Sequence, residues 1–215
     1  RLRVMLADRA PRHTNPLLAL AARLVELAGG RLTASEVLDL ARSEAVRRRF
    51  GFDDDDLDRI ARWVEEVAIR WGLDEEHRAS YDLRNFPQNT WRSGLDRVLT
   101  GAALDGEDVT HLGQTVALDD LDSGDIELAG RLAELVERLG ATLTALHQCR
   151  AARDWSRALR DGVLDLADTA AADAWQVTQL ERELARIEAS AQRASGRSTA
   201  GHGAPATGAA TTHAT

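Results

Sequence analysis

Residues 57–71 constrain the rest of the chain more than any other stretch. At about 100° per residue, Leu57, Ile60, Trp63, Val64, Val67 and Trp71 fall on one face of a helix, with Asp58, Arg59, Arg62, Glu65 and Glu66 opposite. Such a face cannot stay in water. At ~25 cal/mol per Å², burying one tryptophan contributes about 4–6 kcal/mol as an upper bound, so partner helices must cover it. Gly72 is expected to end this helix. A polar connection with Asn85, Pro87 and Asn89 then leads to Thr90, an N-cap for a second helix carrying Trp91, Leu95, Val98 and Leu99. On the first helix, Asp58 with Arg62, Arg62 with Glu66, and Glu66 with Arg70 have i, i+4 spacing, and Ile69 reads as a single exposed apolar residue on the charged face.

The remaining segments follow the same helical logic. Asn15–Pro16 is a strong start signal, and Leu17, Leu20, Leu24 and Leu27 repeat at helical spacing up to Gly29 and Gly30. Thr33 and Glu36 have capping-box spacing, and a further short helix runs from Ser43 to Phe50 and Gly51. Ala129, Leu132, Val136, Leu139, Leu143 and Leu146 recur at alternating steps of three and four, as do Val177, Leu180, Leu184, Ile187 and Ala191. Trp155, Leu159, Val163 and Leu166 mark a helix between these two seams. The three segments should pack as antiparallel neighbours, because their connections are short. Residues 2–6 read as one short strand, and residues 105–121, which include His111, read as a loop. The expected organisation is a strand and loop from an adjoining domain in 1–14, a helical part with the tryptophans in 15–121, antiparallel helices in 122–194 and a disordered small-residue tail in 195–215. Because it opens on Arg1 inside the apparent strand, the chain reads as a piece of a larger protein.

Composition excludes several activities. All 27 basic residues are arginine, so a phosphate-binding loop of the Walker type, which needs a lysine, is excluded from this sequence. The net charge of −8 argues against a freestanding DNA-binding module. Cys149 is the single cysteine and can form neither an internal disulfide nor a cysteine-based zinc site. The four consecutive aspartates 53–56 fail as a calcium loop, since positions six and twelve are Asp58 and Val64; they read as caps at the positive end of the following helix. Arg47 to Arg49 read as a solvated helix end that complements them. Carboxylates fall at helix starts and on polar faces, so no catalytic residue, cofactor site or metal site is assigned.

Two motifs carry a resemblance. Trp71, Gly72, Leu73 and Asp74, followed after a polar loop by Thr90, Trp91, Arg92, Gly94 and Leu95, resemble the RecC family, the gamma subunit of bacterial exodeoxyribonuclease V. The resemblance covers Arg1 to about Ile187. It implies a mainly α chain forming the helical, 2B-like region of an inactivated superfamily 1 helicase-like fold. It further implies RecB-like and RecD-like partner subunits, DNA as a ligand of the assembly, a cytoplasmic setting, and ATP and Mg²⁺ only in the partners. The role implied is a non-catalytic scaffold and DNA-channel element that scans for Chi. Trp63, Trp71, Gly72, Trp91 and Gly94 are the expected structural anchors. Arg70, Arg84 and Arg92 flank the 74–89 connection and are expected to contact DNA or a neighbouring subunit; the same features also describe a plain surface turn. A different reading of the chain is a freestanding helical adaptor that binds a protein through its seams and has no DNA role.

Overall fold

The computed structural model describes residues 15–103 and 123–200. The strand expected at 2–6 and the loop expected at 105–121 with His111 lie outside the described residues, as do residues 201–215 of the expected tail. The described part is mainly α. Helices α1 (Pro16–Ala28), α2 (Ala34–Ala41), α3 (Glu44–Phe50) and α4 (Asp54–Glu66) are followed by the one-turn α5 (Glu75–Ala79) and by α6 (Trp91–Ala103). Then come α7 (Ser123–Gln148), α8 (Ala152–Leu166), a 3₁₀ turn at Ala171–Asp173 and α9 (Trp175–Ala200).

The helix starts are set by side chains that satisfy amides with no partner inside the helix. The Asn15 Oδ1 accepts from the amides of Leu17 and Leu18, and Pro16 occupies the first helical position. Thr33 with Glu36, and Asp53 with Asp56, form reciprocal capping boxes. The aspartate run is thus spent on capping and pairing: Asp54 meets Arg47 at 2.8 Å, and Asp56 meets Arg131 at 3.1 Å.

The three long helices lie side by side in chain order, α8 packing on both α7 and α9, and α1 packs across all three. Most of the expected seam residues make this core: Ala129, Leu132, Val136, Leu139, Leu143 and Leu146 of α7 are buried, as are Leu159, Val163 and Leu166 of α8 and Leu180 and Leu184 of α9, while Trp155, Val177, Ile187 and Ala191 are half-buried and Leu128 and Leu135 join the core from outside the expected seam. Buried Asn15 ties the start of α1 to α9, its Nδ2 donating to the Gln176 carbonyl at 3.0 Å and to Gln179 Oε1 at 2.9 Å. Arg138 joins α7 to Asp165 of α8 at 2.6 Å.

Several sequence expectations fail here. The first tryptophan helix does not reach Gly72; α4 ends at Glu66, and Ala68 turns the chain with a left-handed φ of 55°. Trp71 therefore leaves the helical stripe and forms an isolated antiparallel bridge with Thr33. A helical Glu66–Arg70 pair is lost with it. Ile69 is 1% exposed, the reverse of its expected place on a solvated face. At the other end of the chain, α9 continues to Ala200, past the expected start of disorder at 195.

Candidate interaction site

Beyond α4, the chain builds a compact set of turns whose hydrogen bonds replace the missing helix. The amide of Ala34 donates to the Arg70 carbonyl at 2.9 Å, and the amide of Gly72 donates to the Arg31 carbonyl at 2.9 Å. The first turn of α6 would leave its amides without partners. Trp91 and Arg92 instead donate to the carbonyls of Gly72 and Leu73, each at 2.9 Å, and Ser93 donates to the Thr90 hydroxyl at 3.2 Å. The two tryptophan motifs are thus stitched directly to one another. Trp91 is fully buried, Trp63 is buried in α4, and Trp71 is half-buried.

Between the motifs, Asp74 caps α5 by accepting from the His77 amide at 2.9 Å, and this single turn points Arg78 inward. Arg78 is only 5% exposed. Its Nη1 donates to the carbonyls of Phe86 at 2.6 Å and Gln88 at 2.7 Å, and its Nη2 donates to the Trp71 carbonyl at 2.7 Å. The guanidinium also lies over the Trp71 ring, 4.5 Å from its centroid. Three backbone dipoles and a π face therefore compensate a buried cation that has no carboxylate partner among the described residues. Burial pulls the Arg78 pKa below its ordinary value, yet arginine stays charged. Gly72 is required at the crossing: its φ is +82°, and a Cβ there would stand 2.9 Å from Arg78 Nε.

Neighbouring groups brace the clamp. Tyr81 meets Trp71 edge to face at 5.4 Å and donates its hydroxyl to the Gly30 carbonyl at 2.9 Å, while Arg31 stands 5.5 Å from both rings. Burial lowers the His77 pKa; His147 and Arg78 add to the lowering and Asp74 opposes it, so folding favours the neutral imidazole. Gly94 allows α6 to lie on the turn after α4, since a Cβ there would fall 2.2 Å from Ile69 Cγ1.

What the clamp holds up is a tip that faces solvent. Residues 84–89 are all exposed, and Phe86 is 54% exposed. The tip is bounded by Asp82 and Asn89, both left-handed at φ 61° and 62°, a conformation costing roughly 1 kcal/mol each for residues other than glycine. Arg70, Arg84 and Arg92 are exposed around it. Two of them are engaged within the chain: Arg84 with Glu76 at 3.1 Å and Arg92 with Asp74 at 3.6 Å. Arg70 has no ion-pair partner among the described residues, and its amide donates to the Asn89 carbonyl at 2.9 Å.

Arg78 escaped the reading of the sequence. Nothing in its spacing separates it from a surface arginine on a short acidic helix, because its partners are carbonyls that only the folded turns bring together. Among the described residues no group of three or more His, Cys, Asp or Glu side chains could hold a metal ion, and no helix is long and apolar enough to cross a membrane.

Comparison with known proteins gives this surface a family. Residues 14–202 match the family model for the fourth domain of RecBCD enzyme subunit RecC, which carries the similarity beyond the limit near Ile187 expected from the sequence. RecBCD enzyme subunit RecC of Mycolicibacterium smegmatis is 52% identical over 193 residues, covering 89% of this chain and 17% of that protein. The Mycobacterium tuberculosis subunit is 50% identical over 191 residues, again 89% of this chain and 17% of the relative. The Escherichia coli subunit is 34% identical over 157 residues, 73% of this chain and 14% of the relative. The chain thus spans about one-sixth of the length of the first two of these relatives. With a family model matched across most of its length, the chain belongs to the RecC family.

Proposed function

We propose that the chain serves as a non-catalytic segment of a RecC-type subunit, holding RecB-like and RecD-like subunits together in a helicase and nuclease that acts in recombinational repair of DNA double-strand breaks. In this reading it forms the 2B-like helical region of an inactivated helicase-like fold and lies along the DNA channel that scans for Chi. ATP and Mg²⁺ act in the partner subunits, and the setting is the cytoplasm. The observation that carries the reading is the convergence of both tryptophan motifs on one clamp, which spends a buried arginine and two left-handed residues on presenting an exposed tip. That investment suits a scaffold that positions a contact surface.

Arg70, Arg84 and Arg92 belong to this surface. The carboxylates already beside Arg84 and Arg92 favour contact with a subunit over contact with phosphate. The seams that a freestanding adaptor would offer a partner are largely covered inside the molecule, Leu139 and Leu180 among them, which favours the assembly reading, although Val177, Ile187 and Ala191 of α9 stay half-buried. The test is reconstitution from purified full-length subunits. The RecC-type protein containing this chain should join both partners in one complex, hydrolyse no ATP alone, and be required for ATP-dependent unwinding. Failure to assemble, or ATP hydrolysis by the isolated subunit, contradicts the proposal.

A further inference from the structure

One titratable side chain of the clamp takes no part in holding the tip. His77 is half-buried in α5, and its Nδ1 is enclosed with no hydrogen-bond partner among the described residues. Enclosed polar atoms nearly always have a partner, so an orphaned ring nitrogen calls for a reason. The His77 ring stands 6.3 Å from that of Tyr81, which in turn meets Trp71, so it closes one end of the aromatic row beside Arg78.

The charged groups that face the ring come from two elements. Beside it in the chain, Asp74 already caps the His77 amide at 2.9 Å and lies 3.6 Å from Arg92, while Arg78 is a buried, permanently charged guanidinium. From α7 comes His147, whose Nδ1 meets the Leu143 carbonyl at 2.9 Å. The loop also seats on α7 through Leu73, since a Cβ at Gly140 would fall 2.7 Å from Leu73 Cδ2. A neutral ring suits this setting, because only a lone pair is then orphaned at Nδ1. The protonated ring carries a hydrogen on both nitrogens, and the one on Nδ1 finds no acceptor. It also places a second cation beside Arg78 and opposite a histidine that gains charge in the same pH range.

From this geometry we infer that His77 is a proton-operated latch: as the neutral imidazole it lets the 74–89 loop seat on α7, and on taking up a proton it releases the loop and its exposed tip while the long-helix layer stays packed. The sign follows from burial, which holds the folded imidazole below its ordinary value of 6.5. The seated loop therefore binds fewer protons than the released one. Its stability is present above pH 6.5 and is lost as pH falls from there through the folded value. One proton changes the opening equilibrium by no more than about tenfold for each pH unit. The latch goes beyond the assembly reading and needs no partner subunit, so a failure to assemble leaves it untouched.

The experiment is hydrogen exchange, read by mass spectrometry, on the full-length RecC-type protein alone at about pH 7.5 and about pH 5.5, corrected for the intrinsic chemical rate. Peptides covering 74–89 should lose about three- to tenfold in protection at the lower pH, while those of α8 and α9 keep theirs. His77→Gln, which has no titrating group, should abolish the loss. His147→Ala, which keeps His77 and removes the facing charge, should reduce it. Exchange at the imidazole C2 of His77, which reports the titration of that ring, should show a midpoint below 6.5. Unchanged protection of 74–89 at the lower pH overturns the inference, as does an equal loss in His77→Gln or a His77 midpoint at or above 6.5. Loss spread evenly over α8 and α9 also overturns it, because that is general acid unfolding. If His77→Gln loosens the loop at both pH values, His147→Ala decides: a loss as large as in the wild-type protein sinks the latch.

Discussion

Along α7, the buried residues Leu132, Leu135, Leu139 and Leu143 divide the work of cohesion among many equivalent contacts, whereas across residues 67–92 the carbonyls of Trp71, Phe86 and Gln88 all converge on one guanidinium. The long-helix layer is held by the hydrophobic effect, which is non-directional and distributed. The clamp is held by directed, charge-assisted hydrogen bonds with geometry fixed at each end. The contrast teaches where each kind of cohesion is useful: a leucine seam keeps a body together, and a polar clamp shapes an exposed loop that has too little apolar surface to hold itself. It also means that damage should spread differently in the two regions.

The largest expected effect joins the regions. Trp91 is fully buried and its amide binds Gly72, so Trp91→Ala should lower global stability by about 3–5 kcal/mol, read as a shift of the whole unfolding transition in urea. A smaller and more local loss is expected from Arg78→Met, which keeps the bulk and removes the cation. It should cost about 2–3 kcal/mol, because part of what it frees, the Phe86 and Gln88 carbonyls, can turn to water. If Arg78→Met instead cost no more than a surface substitution, the clamp would be ornamental and the comparison would break.

Smaller again is Gly94→Ala, whose new methyl must push Ile69 aside and should destabilise by about 1–2 kcal/mol in the same urea titration. A double-mutant cycle with Ile69→Ala, which removes both Cγ1 and Cδ1, should give a combined loss smaller than the sum of the two single losses if the steric contact itself is responsible. The smallest effect belongs to Arg84→Ala combined with Arg92→Ala. Both side chains are largely solvated, and surface pairs of this kind are worth about 0–1 kcal/mol, so the melting temperature should barely move. A large shift here would mean that the rim, and not Arg78, holds the tip.

The two regions also differ in how well the sequence announces them. The caps at Asn15, Thr33, Asp53 and Thr90 and the seams of α7 to α9 were legible because each is a local rule: a short polar side chain before a helix, or an apolar residue every three or four positions. The turn after α4 was not. Val67 and Trp71 keep the phase of the helical stripe, and the chain breaks the helix at Ala68, a residue with high helix propensity and no glycine to mark the left-handed turn. Tertiary contacts decide it: Ile69 goes into the core against Gly94, and Trp71 goes to its bridge with Thr33. The site shows the same division. The arginines flanking the loop could be named from their positions, but Arg78 could not, since its three carbonyl partners come from residues 71, 86 and 88.

Arg78 is the chief determinant of the shape of the exposed tip, while the long-helix layer stands without it. Hydrogen exchange of the protein with Arg78→Met tests this most directly, because the amides of Leu83, Phe86, Thr90 and Arg70 are hydrogen-bonded within or beside the tip. The account predicts that these amides lose protection while those of α7, α8 and α9 keep theirs. Equal loss across both regions, or unchanged protection of the tip, would contradict it.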